Sequence, residues 1–213
     1  MKTVLLTGAS GGIGSAISSA LVADGYEVVP VTHKDADLSS YEDIKKLQEK
    51  FSSEGRTFDW VVCAHGFIDG VTEPEQQTPE MILKNFEVNT FSLFYISKLF
   101  LPLLTHGGGM VFISSTSGLQ ANGRFLAYSA SKAAVNSLAQ GLARNKPELS
   151  FFAICPGPTN TQMRERVAGD AAKMQSPDVV AKTALDLINQ NGEYKSGDVI
   201  SVRDGVTTIV TRI

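Results

Sequence analysis

Short apolar runs alternate along this chain with longer segments whose apolar residues recur at helical spacing. The runs are continuous, which is typical of strands that are covered on both faces of a sheet. The helical segments bury one face, as Ile13, Ile17 and Leu21 illustrate. This alternation predicts an α/β fold with a doubly wound, mostly parallel sheet of about seven strands and helices on both faces. The runs are 3–7, 27–31, 60–64, 110–114, 151–155 and 198–202, and the later helical segments are 40–53, 79–104, 127–145 and 177–190.

Composition narrows the class further. The chain has 213 residues, of which 43% are apolar, and no linker divides it, so we expect one domain. The net charge of −3 gives nothing that attracts nucleic acid or an anionic membrane. Cys63 and Cys155 each close an apolar run, which favours buried thiols and supports neither a disulfide nor a metal site. The N-terminal apolar run is too short for a signal peptide and no stretch approaches a membrane span, so we expect a cytoplasmic protein.

A glycine-rich turn, TGASGGIG at 7–14, lies between the first strand and the first helix. Glycines at Gly8, Gly12 and Gly14 would let the backbone turn tightly and approach a phosphate without a Cβ in the way. The helix that follows offers unpaired N–H groups and the positive end of its dipole. The turn therefore predicts a site for the pyrophosphate of a dinucleotide, and the alternative is a tight turn that binds nothing.

The stretch YSASK at 128–132 places a tyrosine and a lysine four residues apart, on one face of a helix. A free tyrosine has a pKa of about 10. A cation about 5 Å away, at an effective dielectric constant of about 20, would lower that pKa by roughly two. Lys132 would thus bring Tyr128 towards a range in which it exchanges a proton with a carbonyl or hydroxyl oxygen. The alternative is a solvated face of an ordinary helix.

Together, TGASGGIG, YSASK and CPGPTNT (155–161) resemble the motifs of the short-chain dehydrogenase/reductases, and the resemblance extends over residues 2–202. It implies a single Rossmann-like, NAD(P)-binding domain over residues 1–213. It also implies an oxidoreductase that interconverts a small carbonyl compound and its alcohol by hydride transfer. Two rivals are a non-catalytic dinucleotide-binding sensor or scaffold, which commonly lacks the tyrosine or lysine, and an epimerase or dehydratase, for whose C-terminal region this chain has no room.

The resemblance implies four catalytic residues. Tyr128 is the general acid and base, and Lys132 also hydrogen bonds the nicotinamide ribose. Ser115, thirteen residues before Tyr128, would stabilise charge on the substrate oxygen. Its neighbour Ser114 should point to the opposite face of the strand. Asn89 corresponds to an asparagine that holds a water behind the lysine, with a helix kink or a structural hydrogen bond as the alternative.

The resemblance also implies the cofactor-binding residues, which surround the glycine turn, the ends of the strands and the loop after residue 155. No metal site is predicted. The cofactor-binding set is Gly8, Ser10, Gly12, Ile13, Gly14, Thr32, His33, Lys34, Asp37, Leu38, Ala64, Gly66, Asn89, Tyr128, Lys132, Pro156, Gly157, Thr159 and Thr161.

The end of the second strand bears on the choice of dinucleotide. An NAD-preferring site would place an acidic residue there to hold the ribose 2′-hydroxyl, and this chain has Thr32. Thr32 and Lys34 can bind a 2′-phosphate, so we expect NADP(H) rather than NAD(H). The nearby Asp35 and Asp37, and a glycine at the position in the turn where a basic residue is often found, count against this.

The family's usual NNAG appears here as CAHG (63–66). His65 could contact a ligand or titrate, and a packed spacer is the favoured interpretation. Substrate contacts are expected from Phe67, Ile68, 119–125 and a compact loop at about 158–176 with Met163. Arg124, Arg164 or Arg166 could hold an anionic substrate, although solvated arginines are the favoured interpretation. We expect a homodimer or homotetramer formed through 79–104 and 127–145, with additional core packing as the alternative.

Overall fold

The computed structural model of the protein describes residues 1–70, 73–168 and 174–212. Strands and helices alternate along most of the chain. The strands are β1 (Thr3–Thr7), β2 (Glu27–Val31), β3 (Phe58–Cys63), β4 (Leu104–Ile113), β5 (Ser150–Pro156), β6 (Val199–Arg203) and β7 (Val206–Thr211). The α-helices are α1 (Gly12–Ala23), α2 (Tyr41–Ser53), α3 (Pro79–Phe86), α4 (Ser92–Phe100), α5 (Leu126–Asn145), α6 (Gln162–Ala168) and α7 (Pro177–Ile188).

The strands form one sheet in the order β2-β1-β3-β4-β5-β6-β7. The first six are parallel, and β7 returns antiparallel to β6. Each of the six predicted apolar runs lies largely or wholly within one of the first six strands, which confirms the doubly wound α/β prediction. Strand β7 has no continuous apolar run, because this edge strand is mostly exposed and its sequence VTTIVT mixes threonine with valine.

Two apolar clusters cover the two faces of the sheet. Helices α2, α4 and α5 bury side chains such as Phe51, Phe100 and Val135 in one cluster. Helices α1 and α7 bury side chains such as Leu21 and Leu187 in the other. The sheet therefore lies between two helical layers, and its loops at the carboxyl ends of the strands are left for a binding site.

The predicted helix 79–104 is wrong as a single element. The chain forms α3, then a π-helical turn at Glu87–Phe91, then α4, and β4 already begins at Leu104. Pro102 lies in a short 3-10 turn after α4, where it contributes to ending the helix. The other helical predictions are confirmed within two residues, and Ser176 caps α7 by accepting a hydrogen bond from the Asp178 N–H at 3.2 Å.

The β2 edge of the sheet carries a proline. The Gly8 N–H donates to the Val31 carbonyl at 2.9 Å, so Val31 directs its backbone polar groups towards β1. Because these groups alternate along a strand, the nitrogen of Pro30 faces the open side. The ladder between β1 and β2 therefore loses no hydrogen bond at Pro30.

Within the described ranges, no helix is long and apolar enough to cross a membrane. Cys63 and Cys155 are both buried free thiols. Burial raises the pKa of the Cys63 thiol to about 12 and that of Cys155 to about 11, so both remain protonated at neutral pH. The two cysteines act as small core residues, as their positions at the ends of apolar runs predicted.

Candidate active site

A cavity of about 1080 Å³ opens at the carboxyl ends of β1, β3, β4 and β5. Parallel strands bring the loops that follow them to the same edge of a sheet, so residues far apart in sequence meet there. Thirteen of the predicted site residues line this cavity. They are Ser10, Gly12, Ile13, His33, Ala64, Gly66, Ser115, Tyr128, Lys132, Pro156, Gly157, Thr159 and Thr161.

The glycine turn is packed so closely that two of its positions exclude a side chain. Gly8 has φ +69°, and a Cβ there would lie 2.5 Å from the backbone nitrogen of His65. A Cβ on Gly14 would lie 2.1 Å from the carbonyl oxygen of Gly8. Neither residue lines the cavity, so both act by shaping the turn. They allow the segment from Ser10 to Ile13 to present its backbone to the cavity.

Tyr128 lies in the first turn of α5, and Ser115 immediately follows β4. Both side chains face the cavity, where the Ser115 hydroxyl interacts with the phenol and lowers its pKa. Burial is the stronger influence and raises the pKa of Tyr128 above its usual 10. The expectation that Tyr128 has a lowered pKa is therefore wrong for this arrangement, in which the phenol stays protonated at neutral pH.

Lys132 is held close to the phenol by a hydrogen bond to the backbone. Its side chain is buried, and its ammonium donates a hydrogen bond to the Ile113 carbonyl at 2.8 Å. The ammonium lies 5.9 Å from the centroid of the Tyr128 ring. Burial lowers the pKa of Lys132 itself to about 8, and the cation whose charge lowers the pKa of Tyr128 is Arg164.

Ser114 and Ser115 have different surroundings. The Ser114 hydroxyl donates to the Lys132 carbonyl at 2.9 Å and so fastens α5 to the end of β4. The Ser115 hydroxyl instead accepts from the Ser117 N–H at 3.1 Å and interacts with Tyr128. Ser114 is thus committed to holding the helix, while Ser115 is placed beside the phenol.

Asn89 lies in the π-helical turn and does not line the cavity. Its side-chain amide accepts from the Phe67 N–H and donates to the Phe67 carbonyl, both at 2.8 Å, and it also donates to Ser131 at 3.1 Å. These bonds hold the loop after β3 against α5. A kink with structural hydrogen bonds, the alternative left open by the sequence, describes what the side chain does.

His65 is wedged between β1 and α4. Its Nδ1 lies 2.7 Å from the Thr7 hydroxyl and its Nε2 lies 2.9 Å from the Ser92 hydroxyl. The Ser92 hydroxyl donates its one hydrogen to the Val88 carbonyl at 2.7 Å, so it must accept a hydrogen bond from the His65 Nε2. The proton of the neutral imidazole is therefore on Nε2, and Nδ1 accepts from the Thr7 hydroxyl. Burial, assisted by the charge of Lys132, lowers the pKa of His65 to about 3. His65 is therefore a neutral packed spacer, although one edge of it also borders the cavity.

The loop after β5 forms one wall of the cavity. The Gly157 N–H donates to the Val202 carbonyl at 2.8 Å, and the Thr159 hydroxyl donates back to the Gly157 carbonyl at 2.9 Å. Helix α6 follows and brings Met163 and Arg164 to the cavity. Residues 169–173 of the predicted lid lie outside the described residues.

The end of β2 is less involved than predicted. His33 lines the cavity, but Thr32, Lys34, Asp37 and Leu38 do not. The Asp35 carboxylate accepts from both the N–H and the hydroxyl of Thr32 at 2.8 Å, and these bonds lower the pKa of Asp35. An anionic group thus engages the Thr32 hydroxyl that was expected to contact a ribose phosphate.

Arg203, which was not among the predicted site residues, ends β6 and lines the cavity. A Cβ on Gly157 would lie 3.1 Å from the Arg203 Cγ, so the two residues are in close contact. The sequence could have indicated Arg203, because it directly follows an apolar run and the carboxyl ends of parallel strands lie at the same edge of a sheet. Of the predicted substrate contacts, Phe67, Ile68, Met163, Arg164 and Arg166 line the cavity, whereas Arg124 is exposed outside it.

Comparison with known proteins agrees with this arrangement. The family model described as short chain dehydrogenase matches residues 30–172, more than half of the chain. The chain therefore belongs to the short-chain dehydrogenase family, as the motifs predicted. Members act on CH–OH or C=O groups with NAD(P), so the protein is an oxidoreductase of this type.

Similar proteins include a benzil reductase of Saccharomyces cerevisiae, 29% identical over 93% of this chain and 85% of the relative. A 7alpha-hydroxysteroid dehydrogenase of Bacteroides fragilis is 28% identical over 97% of this chain and 94% of its own length. Among solved structures, a short-chain dehydrogenase from Escherichia coli in complex with NADPH is 27% identical. It has a TM-score of 0.84 and covers 94% of this chain and 95% of its own.

Proposed function

We propose that this protein is an NADP(H)-dependent oxidoreductase that reduces a small carbonyl compound to its alcohol, with Tyr128 as the proton donor. The observation that carries the proposal is the meeting of Tyr128, Ser115 and Lys132 in one cavity beside the glycine turn. We also infer a single domain over residues 1–213, since one sheet uses strands from Thr3 to Thr211.

The cavity fits a dinucleotide. The segment from Ser10 to Ile13 lines it with two adjacent glycines at its centre, and a Cβ on Gly12 would lie 2.7 Å from the Thr161 Cγ2. The start of α1 would hold the pyrophosphate, and Lys132 with the loop from Pro156 to Thr161 would hold the nicotinamide half. When bound, the dinucleotide supplies the hydride.

Tyr128 would donate its hydroxyl proton to the substrate oxygen as that oxygen gains negative charge. The Ser115 hydroxyl, next to the phenol, would donate a hydrogen bond to the same oxygen. Because burial keeps Tyr128 protonated at neutral pH, the arrangement favours reduction of a carbonyl there. The reverse reaction needs a deprotonated Tyr128, so oxidation of the alcohol should accelerate as pH rises towards the pKa of the phenol.

The test is reduction of a panel of aldehydes and ketones by the wild-type protein with NADPH, compared with Tyr128→Phe. We expect kcat to fall by roughly 10²- to 10⁴-fold, since a general acid contributes about this much. Tyr41→Phe is the matched control, because Tyr41 packs against Tyr95 on α4 and is not among the residues lining the cavity. A Tyr128→Phe variant with the wild-type rate would remove Tyr128 from the mechanism.

Support for NADP(H) over NAD(H) comes from the absence of a carboxylate at position 32 and from the adjacent His33 and Lys34. A relative of known structure was solved with NADPH, and another, from Shigella flexneri, with NADP. The Asp35 carboxylate opposes a 2′-phosphate, since the charge lies at the Thr32 hydroxyl.

Dissociation constants for NADPH and NADH decide the cofactor. We expect tighter binding of NADPH, and Asp35→Asn should widen its advantage because it removes a like charge. Asp59→Asn, a change at the amino end of the sheet where Asp59 accepts from the Thr3 N–H at 2.7 Å, is the control. Binding of NADH at least tenfold tighter in the wild-type protein would reverse the assignment.

We further propose that two copies associate through α3 and α4. Four large apolar side chains between Pro79 and Phe100 are 38–51% exposed. They are Ile82, Leu83, Phe91 and Phe94. A second copy would cover them, in line with the assembly predicted through 79–104 and 127–145.

A further inference from the structure

Arg164 reaches from α6 across the cavity towards the proposed proton donor. Its guanidinium carbon lies 5.7 Å from the centroid of the Phe125 ring. Phe125 is buried and immediately precedes α5, and Phe125 and Tyr128 both line the cavity. The charge of Arg164 is also close enough to lower the pKa of Tyr128. Arg164 therefore borders the place where a substrate carbonyl would lie.

The cavity is strongly cationic although the chain carries a net charge of −3. Among the described residues that line it, four side chains are Lys or Arg and none is Asp or Glu. Three of the four are otherwise accounted for. Lys132 donates to the Ile113 carbonyl, Arg166 is exposed, and Arg203 is two thirds exposed with Asp204 4.0 Å away. Arg164 is the half-buried cation that remains.

The Nε atom of Arg164 is buried and has no hydrogen-bond partner among the residues that the structure describes. A guanidinium keeps its proton under all ordinary conditions, so the donor stays in place and an acceptor is needed. Buried donors in native proteins are generally satisfied, and leaving one unpaired is unfavourable. A carboxylate is the acceptor that matches the planar fork of a guanidinium with two parallel hydrogen bonds.

We propose that Arg164 binds an anionic group of the substrate, so that the enzyme acts on carbonyl compounds that carry a carboxylate. This inference rests on the proposed reductase function and names its substrate class. The phosphates of the dinucleotide are the competing ligand for Arg164. Against them, α6 approaches the glycine turn at Thr161, beside Gly12, whereas Arg164 is turned towards Phe125 and Tyr128.

The experiment compares oxo acids with their neutral esters, which differ in the charge alone at nearly the same shape. The probes are pyruvate, acetoacetate and 4-oxopentanoate, each paired with its methyl ester, and the three chain lengths vary the distance from carbonyl to carboxylate. kcat/KM is measured with NADPH for the wild type, Arg164→Met, Arg164→Lys and Arg144→Met. The last variant is the control, since it removes an equal charge from an exposed position in the last turn of α5, where Arg144 does not line the cavity.

We expect the wild type to prefer the acid in at least one pair. In Arg164→Met the ratio of kcat/KM for acid to ester should fall about 10- to 100-fold, the range of a charge-assisted bidentate contact. Arg164→Lys should recover part of the ratio of kcat/KM for acid to ester, and Arg144→Met should keep the wild-type ratio.

Three outcomes would overturn the inference while leaving the reductase function in place. In the first, the wild type reduces the esters and prefers no acid. In the second, Arg164→Met keeps the wild-type ratio of kcat/KM for acid to ester. In the third, Arg164→Met loses kcat/KM equally on the acid and the ester and its KM for NADPH rises. If no carbonyl compound is reduced, the proposed function fails instead. Calorimetric titration of the same acid and ester pairs then tests the role of Arg164 without turnover, since binding that shows no preference for the acid refutes that role.

Discussion

The Lys132 ammonium lies 5.9 Å from the centroid of the Tyr128 ring, and both side chains face the same cavity. Burial disfavours the charged form of Lys132 and therefore lowers its pKa from 10.5 to about 8. At pH 7, below both values, Lys132 stays protonated in the folded state, but its ammonium is less stable there than in the unfolded chain. Lys132→Met should therefore lose activity and yet raise the free energy of unfolding by about 1–3 kcal/mol.

Chemical denaturation at several pH values measures this. The pKa is lower in the folded than in the unfolded protein, so the wild type gains stability as pH rises from 8 to 10.5 and loses it as pH falls. The difference in unfolding free energy between the wild type and Lys132→Met should therefore narrow as pH rises over this range. Lys46→Met, at a side chain 74% exposed, should show no such narrowing. A destabilised Lys132→Met would mean that its hydrogen bond to Ile113 outweighs the desolvation of the charge.

Gly14→Ala should destabilise the protein and weaken dinucleotide binding. The added methyl group would lie 2.1 Å from the Gly8 carbonyl oxygen, a backbone atom that can move only with the whole turn. We expect a loss of at least about 2 kcal/mol in unfolding free energy, in the range of overpacked sites. Urea denaturation and the dissociation constant for NADPH check the two effects.

Gly141→Ala is the matched control for this substitution. Gly141 lies in the exposed part of α5, and a Cβ there would meet no atom within 4 Å. The same change should stabilise the helix by about 0.5–1 kcal/mol. Equal effects of the two substitutions would contradict the close packing of the turn.

His65→Gln should remove a pH dependence of stability. The pKa of His65 is about 3 in the folded protein against 6.5 when unfolded, so protons bind preferentially to the unfolded chain between these values. Stability from this group is complete above pH 6.5 and is lost as pH falls towards 3. Between pH 7 and pH 5 the wild type should lose about 1–2 kcal/mol more than His65→Gln. Thermal or urea unfolding at both pH values measures the difference, and the exposed His106→Gln should behave like the wild type.

Phe94→Glu should yield monomers if α3 and α4 form the contact between copies. Phe94 is 50% exposed, and a carboxylate there would be unfavourable in an apolar interface. Light scattering at several protein concentrations gives the mass. Val22→Glu, at an exposed apolar position on the opposite face of the sheet, is the control. A wild type that is monomeric throughout would refute the proposed interface.

The sequence predicted the fold well where burial leaves a strong pattern. Strands covered on both faces are continuous apolar runs, so β1 to β6 could be located, whereas the exposed strand β7 could not. The break between α3 and α4 was foreseen only as an alternative, a kink at Asn89. Asn89 looks like one polar residue in a helix, and only its bonds to Phe67, on a loop distant in sequence, show why the helix is widened there.

The candidate site was predictable in membership and less so in electrostatics. The resemblance to the family's motifs predicted that Ser115 lies with Tyr128 and Lys132, and the spacing of four residues placed the tyrosine and the lysine on one face of a helix. The pKa of Tyr128 depends on how deeply the phenol is buried, and a spacing of four residues carries no information about that. The same holds for Arg164, whose orphaned Nε atom distinguishes it from Arg166 only in three dimensions.

The proline at position 30 makes the two edges of the sheet unequal, because it removes one hydrogen-bond donor from the outward side of β2. A foreign strand arriving beside β2 would find no hydrogen to accept at Pro30, so templated growth and fibre formation are disfavoured on that flank. The opposite flank, VTTIVT in β7, contains no such interruption. If strands of two molecules paired edge to edge, pairing would therefore be favoured at β7, the C-terminal edge of the sheet.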